Sequence, residues 1–344
     1  MIKQAPICPA CGSQAWQVLF AARDRMHQLP GDFFVAACRC GMAVTLPQPA
    51  DPGSYYPDHY YAYQAPGEPP LPHGIVNMLV SLLLRDRYGY AAAARVRGLP
   101  RSRLLAGLAG LAEPLVRRRA AAALGPGPLP PFVPGGRALD IGCGSGNWLV
   151  KARSLGWAVQ GVEPSAPACA AARAAGLDVF EGDLLQAQLP SASFDLVRIW
   201  HALEHTPDPL AVLREMSRLL KPNGMILIGV PNRAGLLARW FGRFWFDLDV
   251  PRHLWHFTPA AIDRLFDRAG LRSERIGYGF YYNYSSLWSL WYLIEQRRGY
   301  TPERRAGFQR AWNTFRRAIG FAPLRPILRW IERTNHLEVI ATKR

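Results

Sequence analysis

RALDIGCGSG, residues 137–146, is the stretch that decides the fold. RALDI is a short apolar run of the kind that forms a buried strand, and GCGSG after it is a glycine-rich tight turn. The ten residues that follow, NWLVKARSLG, have the apolar spacing of a helix. A strand that leads through a glycine turn into a helix is the general layout of a nucleotide-binding site in an α/β protein.

The alternation of strand and helix continues to residue 232. It predicts a doubly wound α/β domain, which binds its ligand at the carboxyl ends of the strands. Asp208 and Pro209 are the expected N-cap and first residue of one helix. Strands are predicted for AVQGVEPS (158–165), DVFEGD (178–183), FDLVRIW (194–200) and MILIGVPN (225–232), and helices for APACAAARAAG (166–176) and DPLAVLREMSRLLKPNG (208–224).

Acidic residues around the turn indicate which cofactor fits. Asp140, in the strand just before the turn, would repel a pyrophosphate but suits a cofactor that carries an ammonium and a sulfonium group. Glu163, at the end of the second strand, has two oxygens that can accept from both hydroxyls of a ribose. Asp183, after the third strand, can accept from an adenine amino group. The turn residues expected beside the cofactor are Gly142, Gly144 and Gly146.

Several of these motifs together resemble one family. LDIGCGSG, VEPS, EGD and LKPNG, in this order and spacing, are similar to the motifs of class I S-adenosylmethionine-dependent methyltransferases. The resemblance covers residues 137–280 and implies S-adenosylmethionine as cofactor and a Rossmann-like seven-stranded sheet, closed by an antiparallel hairpin. RSERIGYG (272–279) and LEVIATK (337–343) fit the two hairpin strands, so that 280–336 is an insertion between them.

The end of the fourth strand faces the transferred methyl group in this family, and IWHALEHTPDP (199–209) lies there. Trp200 would lie against the sulfonium through cation–π attraction, or form ordinary wall. His201 follows, and its imidazole is a candidate general base for an acceptor hydroxyl or amine. Leu184, next to Asp183, would line the adenine or belong to the plain core.

Glu204 and His205 admit two interpretations. HALEH (201–205) is similar to the Glu-x-x-Glu-His segment of ubiquinone-biosynthesis O-methyltransferases, where those side chains are implicated in binding a divalent cation; His201 replaces the first Glu here. The other interpretation is that Glu204 and His205 brace the loop and its helix end. A short cluster on a strand-to-helix connection favours bracing.

Four cysteines near the start form two short knuckles. CPACG holds Cys8 and Cys11, and CRCGM holds Cys38 and Cys40. Four thiolates satisfy tetrahedral Zn²⁺, so this pattern predicts a structural zinc in a small ribbon. The single residue between Cys38 and Cys40 departs from the usual two, and a metal-free ribbon of reduced thiols is the alternative.

The segments around the core narrow the resemblance. The cysteine ribbon, YYPDHYYAY (55–63), RYGY (87–90) and FDLDVPRHLWHFTP (246–259) are similar to a bacterial group of zinc-ribbon methyltransferases. That group is associated with cell-surface polysaccharide, O-antigen or other secondary biosynthesis, which implies a small-molecule, sugar or lipid-linked saccharide acceptor. Residues expected to contact the acceptor, or else to fix this loop in place, are Asn232, Arg252 and His253.

The strong positive charge of the chain raises alternative functions. The net charge is +16, and lysine occurs at positions 3, 151, 221 and 343 alone, so arginine carries nearly all of it. Such a surface suits nucleic acid or anionic lipid, or else reflects overall composition only. An RNA methyltransferase and a non-catalytic cofactor-binding adaptor are therefore the alternatives. Against RNA, WHAL stands after the fourth strand, where base-directed amino methyltransferases carry an Asn/Asp-Pro-Pro-aromatic motif.

The chain shows no signal-peptide pattern and no charge-free, strongly apolar run of about 18 residues, which predicts a cytoplasmic protein. Arginines and aromatics within 75–120 and 280–336 predict a cap that shapes the acceptor pocket or rests on the inner face of the membrane. The expected domains are a zinc-ribbon module at 1–50, a linker and basic helical segment at 51–132, the methyltransferase core at 133–279, the insertion at 280–336 and the final core strand at 337–344.

Overall fold

A computed structural model describes most of the chain. Much of the predicted linker and basic segment at 51–132 lies outside the described residues, and so does part of the insertion expected at 280–336. The described residues are 5–56, 75–90, 124–278, 285–319 and 334–344, together with the single residues 107, 111 and 331.

The described part of the chain forms two sheets and a set of helices. The strands are β1 (Gln17–Ala22), β2 (Phe33–Ala37), β3 (Ala43–Leu46), β4 (Arg137–Ile141), β5 (Ala158–Glu163), β6 (Val179–Glu181), β7 (Phe194–Trp200), β8 (Leu220–Pro231), β9 (Trp255–His256), β10 (Leu271–Tyr278) and β11 (His336–Lys343). The α-helices are α1 (Ile75–Tyr88), α2 (Asn147–Ser154), α3 (Ala166–Ala174), α4 (Pro209–Leu219), α5 (Leu236–Phe241), α6 (Pro259–Ala269), α7 (Ser285–Arg298) and α8 (Pro302–Ile319).

The larger sheet has seven strands in the order β10-β11-β8-β7-β4-β5-β6. Neighbours from β8 to β6 are parallel, whereas β11 runs antiparallel between β8 and β10. The predicted Rossmann-like fold and its closing hairpin are therefore confirmed. The strand order reverses at β4 and β7, so the crevice at their carboxyl ends is where a doubly wound fold binds its ligand.

The decisive stretch folds as predicted because both faces of β4 are covered. Residues 138–141 are buried, as expected for a parallel strand between two layers of helices. Leu139 packs in one core cluster, while Ala138 packs in another with Leu149 of α2. Alternating side chains thus serve opposite faces of the sheet.

The chemistry of its two ends sets the limits of α4. The Asp208 carboxylate accepts from two N–H groups of the first turn, each at 3.0 Å, and Pro209 is the first residue, as predicted. The helix ends at Leu219, before the predicted residue 224, and β8 begins directly after it. Pro222 explains the difference, because proline lacks an N–H and drives the preceding residue toward extended backbone.

The smaller sheet joins the cysteine module to the loop after β8. Its order is β1-β2-β3-β9, and β9 comes from the segment that follows β8. Val44 pairs with Trp255, and Ala43 pairs with His256. Met42 lies in the same buried cluster as Phe266 of α6. The module and the loop therefore form one packed unit beside the large sheet.

Candidate active site

The glycine turn after β4 has a backbone that other residues could hardly adopt. Gly142, Gly144 and Gly146 have φ of 67°, 54° and 87°, in the left-handed region that favours glycine. A Cβ on Gly146 would lie 2.2 Å from Leu177 Cδ1, and one on Gly142 would lie 2.5 Å from Ala202 Cβ. The second contact brings the turn against the loop that follows β7.

Glu163 connects this turn to the end of β5. Its Oε2 accepts from the Gly144 N–H at 2.8 Å, and its Oε1 accepts from the Ser165 N–H at 2.9 Å. Burial raises the pKa of Glu163, against the lowering effect of the two backbone N–H groups. The carboxylate therefore stands beside the turn, where the sequence places a ribose ligand.

Arg198 organises the polar interior beneath the turn. Its Nη1 donates to Asp140 Oδ1 at 2.8 Å, and both side chains are buried. Its guanidinium also lies 5.1 Å from the ring centres of Trp148 and Trp200. Burial raises the pKa of Asp140, although Arg198 lowers it. Asp140 thus joins β4 to β7, and Trp200 packs closely on Gly229 of β8.

The residues after β6 make mainly local contacts. Asp183 Oδ1 accepts from the Gln186 N–H at 2.9 Å, and Gln186 Oε1 accepts from the Asp183 N–H at 3.0 Å. Leu184 is buried in the main core cluster. The contacts just described for Asp140, Asp183, Leu184 and Trp200 are all with other residues of the protein. Their contacts with the cofactor therefore stay predictions.

His201 directly follows β7 in an unusual backbone conformation. Its φ is 52°, which is uncommon for a residue other than glycine and is found at functional sites. Its N–H donates to Gly229 O at 2.9 Å, and its Nδ1 lies 3.3 Å from Glu204 Oε1. The His336 ring centre is 5.0 Å away. His201 thus sits at the predicted edge with a carboxylate against its ring.

Glu204 is the buried centre of a histidine cluster. Neither of its oxygens accepts a well-formed hydrogen bond from the described residues. Burial raises the pKa of Glu204, but the His201 contact and the nearby His253 outweigh it and hold the value at about 2. The carboxylate is therefore ionised at neutral pH without the hydrogen bonds a buried anion normally has.

The imidazoles beside Glu204 are held by backbone carbonyls. His253 Nδ1 donates to Asp247 O at 2.8 Å, and its Nε2 lies 3.9 Å from Glu204 Oε1. His205 Nδ1 lies 3.0 Å from Arg252 O and 2.7 Å from the Tyr56 hydroxyl. Burial, with the field of His253, lowers the pKa of His205 to about 4. One ligand atom each from Glu204, His205 and His253 lies within 4.8 Å of the others.

Arg252 is buried in a clamp. Its Nε and Nη2 donate to Asp249, Nη2 and Nη1 donate to Asp24, and Nη1 also donates to Tyr55 O at 3.1 Å. All five N–H groups are thereby engaged. Burial lowers the pKa of Arg252, but Asp249 and Asp24 raise it well above its usual range. This favours loop anchoring, which the sequence left open, over contact with an acceptor.

Asn232 is engaged in a similar way. Its Nδ2 donates to Thr334 O at 2.8 Å, and its Oδ1 accepts from the Ala234 N–H at 3.0 Å. The side chain is 2% exposed. Its contacts therefore also favour loop fixing.

Four residues at this corner were not singled out from the sequence: Asp24, Thr45, Tyr56 and His336. Thr45 Oγ1 donates to His253 O at 2.7 Å from the cysteine module. His336 begins β11, and the predicted hairpin topology brings the start of that strand to the end of β8. That topology could have pointed to His336, and Tyr56 lies in the quoted stretch YYPDHYYAY (55–63), whereas no sequence signal pointed to Asp24 or Thr45.

The four cysteines of the knuckles come together as predicted. Cys8 Sγ lies 3.5 Å from Cys40 Sγ, and Cys11 Sγ lies 3.5 Å from Cys38 Sγ. Zn–S bonds of about 2.3 Å in a tetrahedron place sulfurs about 3.8 Å apart, so this donor set fits Zn²⁺. The single-residue spacing of the second knuckle does not prevent the clustering.

Comparison with known proteins identifies the family. The family model described as "Methyltransferase domain" matches residues 113–275. A ubiquinone biosynthesis O-methyltransferase of Thiobacillus denitrificans is 32% identical over 166 residues, which are 43% of this chain and 69% of that protein. One from Xanthomonas oryzae is 36% identical over 156 residues, 41% of this chain and 65% of that protein.

The chain therefore belongs to the class I S-adenosylmethionine-dependent methyltransferases, as its motifs indicated. It spans 65% to 69% of the length of the two relatives just described. Among solved structures, an S-adenosylmethionine-dependent methyltransferase from Mesorhizobium loti is 21% identical, with a TM-score of 0.42, over 62% of this chain and 93% of that chain. The narrower zinc-ribbon group and its link to polysaccharide stay predictions.

His336 makes the stability of this corner depend on pH. It is 2% exposed, and burial lowers its pKa to about 4. An unfolded histidine titrates near pH ~6.5, so the unfolded chain binds more protons than the native state between these values. Stability from this group is complete above pH ~6.5 and falls by about 1.4 kcal/mol per pH unit toward pH ~4. The free energy of unfolding in urea should fall in both proteins between pH ~7 and ~4.5. It should fall by about 2–3 kcal/mol less in His336→Gln than in the wild type. Equal losses in both proteins would contradict this assignment.

Proposed function

We propose that this protein transfers a methyl group from S-adenosylmethionine to a small-molecule, sugar or lipid-linked saccharide acceptor. The observation that carries the proposal is the close contact between Gly142 in the glycine turn and Ala202 in the loop after β7. The turn where the cofactor is expected thus packs against the residue that follows His201. A cofactor on the turn and an acceptor at His201 would share one crevice, as an in-line displacement requires.

The residues at the turn fit the cofactor. Each Glu163 oxygen accepts one backbone N–H, and a carboxylate oxygen has a second acceptor position, so both can still accept from ribose hydroxyls. The glycine turn places the Gly144 backbone beside Glu163, and Asp183 would take the adenine side. When bound, S-adenosylmethionine supplies an electrophilic methyl group.

His201 is the residue we assign to proton removal from the acceptor. The Glu204 carboxylate beside its Nδ1 favours the tautomer with the proton on that atom, which makes Nε2 the basic position. General-base catalysis of this kind contributes about 10²–10⁴-fold.

A divalent cation is the second candidate arrangement for the same corner. Glu204, His205 and His253 converge, and the Nδ1 atom of His253 is held by a carbonyl, as is common for metal-binding histidines. One carboxylate and two imidazoles suit Zn²⁺ or another first-row transition metal better than Mg²⁺. Such an ion would make an acceptor hydroxyl more acidic.

Metal content tests both candidate sites. After zinc loading and gel filtration we expect about two equivalents per chain, because both donor sets fit zinc. Cys8→Ser/Cys11→Ser should lose about one equivalent, and His253→Gln should lose the other, with His27→Gln as the unchanged control. If His253→Gln keeps the full wild-type content, the cation arrangement is wrong and His201 acts without it.

Peripheral membrane contact is also part of the proposal. No described helix has the length and apolar character needed to cross a bilayer. Trp240, however, is 61% exposed on α5, and Leu290 and Tyr300 are also exposed, as are the neighbouring Arg239 and Arg297. Exposed aromatic and basic side chains suit an anionic lipid surface. Flotation with anionic liposomes tests this part, and no association even at low salt would refute it.

The central proposal is tested in two steps. Isothermal calorimetry with S-adenosylmethionine comes first, and absence of binding would overturn the proposal. Transfer of a labelled methyl group is then followed in lysate fractionated into RNA, lipid and small molecules. Label in the lipid or small-molecule fraction is the expected result. Label in RNA would support the RNA methyltransferase alternative, and binding without any transfer would support the adaptor.

A further inference from the structure

A small, partly open pocket that Asp249 helps to line lies outside the histidine cluster. It is formed where the end of β1 meets the segment 243–250 and α7. It includes none of the glycines, cysteines or histidines described above. The side chains that give it its character are Arg23, Arg25, Arg243, Trp245, Phe246 and Tyr292.

The arginines of this pocket are poorly balanced by carboxylates. Glu295 Oε1 accepts from Arg23 Nη2 at 3.1 Å and lies 4.0 Å from Arg25 Nη1. Within the described ranges no carboxylate lies within ion-pair distance of Arg243. Asp249 also lines the pocket, but its carboxylate is already paired with the buried Arg252. Arg23 and Arg25 therefore share one carboxylate, and Arg243 has none of the described carboxylates as partner.

Arg25 is the most buried of the three arginines. Its side chain is nine-tenths buried, and its Nη1 has no hydrogen-bond partner among the described residues. Burial lowers the pKa of Arg25, and the nearby Arg23 lowers it further. Arg25 Nη2 donates to Gln296 Oε1 at 3.0 Å, so Nη1 is the open donor of this buried guanidinium, and an anion in the pocket could accept from it.

The chemistry of the walls indicates which anion. A guanidinium fork matches the oxygens of a phosphate, and three guanidinium groups face this pocket, so a group with several charged oxygens suits it better than a single carboxylate. We propose that Arg23, Arg25 and Arg243 form a binding site for a phosphate or diphosphate group. Phe246, which is half-buried, provides an apolar edge for the organic part of a phosphate ester, and the buried Trp245 and Tyr292 back the pocket.

The pocket is close to the proposed methyl-acceptor corner. Asp249 lines the pocket, and its Oδ2 lies 3.9 Å from His253 Nε2. One side chain therefore separates the pocket from the histidine cluster. Resting on the proposed function, this placement makes a phosphorylated acceptor the substrate class that the site would take.

Calorimetry with sodium pyrophosphate tests the anion site on the full chain at low ionic strength. The wild type should bind one equivalent, and Arg25→Gln/Arg243→Gln should weaken binding at least about tenfold. The matched control is Arg264→Gln/Arg310→Gln, which removes two exposed arginines elsewhere and should bind like the wild type. If the first double variant does not fold, the single variant Arg243→Gln, at an exposed position, should still weaken pyrophosphate binding.

Absence of pyrophosphate binding, or equal weakening in both double variants, would overturn the proposal. Geranyl diphosphate identifies the source of the phosphate: binding at least about tenfold tighter than pyrophosphate supports a phosphorylated acceptor, and equal binding supports a site for the free anion. Titration of the same samples with S-adenosylmethionine separates the two proposals. Cofactor binding without pyrophosphate binding refutes only the anion site, and the reverse result refutes only the methyltransferase function.

Discussion

Replacing Arg252 by Met is expected to lower the free energy of unfolding by about 3–5 kcal/mol at neutral pH. The guanidinium is fully buried between Asp24, which is also fully buried, and Asp249, which is 8% exposed. Methionine keeps much of the apolar volume but leaves two buried carboxylates without a counter-charge. The cost therefore comes from the unpaired charges and not from a cavity. Urea unfolding followed by tryptophan fluorescence measures it.

Two further variants isolate this cause. Arg264→Met, at an exposed position on α6, should change the free energy of unfolding by less than about 0.5 kcal/mol. The triple variant Asp24→Asn/Asp249→Asn/Arg252→Met removes all three charges and should recover more than half of the loss. If the single variant stays within about 1 kcal/mol of the wild type, Arg252 is not the clamp that its contacts indicate.

The clamp also has a pH signature. Burial raises the pKa of Asp249, but Arg252 outweighs it and holds the value at about 2. An unfolded aspartate titrates near pH ~3.9, so the native state binds fewer protons between these values. The stability from this pair is present above pH ~4 and falls as the pH decreases toward ~2. In Arg252→Met that acid-sensitive contribution is absent.

The part of the fold that local sequence determines could be predicted. The strand, glycine turn and helix at 137–154 follow from apolar spacing and glycine chemistry, and the N-cap at Asp208 follows from a single side chain. The closing hairpin was predictable because the resemblance supplied the topology. In each case neighbouring residues, or a known strand order, carried the information.

The acceptor side of the site could not be predicted in the same way. Asp24 and Arg252 are separated by 228 residues, and neither segment shows by itself that it needs the other. DVPRH fits an exposed anion-binding loop as well as it fits a buried clamp. The pairing of β3 with the two-residue strand β9 decides between them, and so short a strand leaves little trace in hydrophobic periodicity.

The same limit applies to the histidine cluster. His201, Glu204 and His205 are close in sequence, and their spacing allowed both the cation-binding and the loop-bracing interpretation. His253 and His336 reach it from distant segments, and they make Glu204 a buried carboxylate among histidines instead of a loop brace alone. Three-dimensional packing therefore strengthens the cation interpretation, which the sequence favoured least.

Replacing Glu163 by Ala is expected to weaken S-adenosylmethionine binding by at least about 100-fold. Hydrogen bonds to a charged group are worth about 1.5–3 kcal/mol each, and losing two ribose contacts amounts to about 3 kcal/mol or more. The variant also frees the Gly144 N–H, so the turn loses the acceptor that holds it to β5. Calorimetry with the cofactor measures the dissociation constant directly and needs no knowledge of the acceptor.

Two variants separate the roles of charge and position. Glu181→Gln changes an exposed acid at the end of the neighbouring strand β6 and should bind the cofactor within about threefold of the wild type. Glu163→Gln keeps the shape of the side chain but has one oxygen in place of two, so its affinity for the cofactor should fall about tenfold or more. If Glu163→Gln and Glu163→Ala both bind like the wild type, the ribose is held elsewhere, because no other feature of the turn could compensate for losing both carboxylate oxygens.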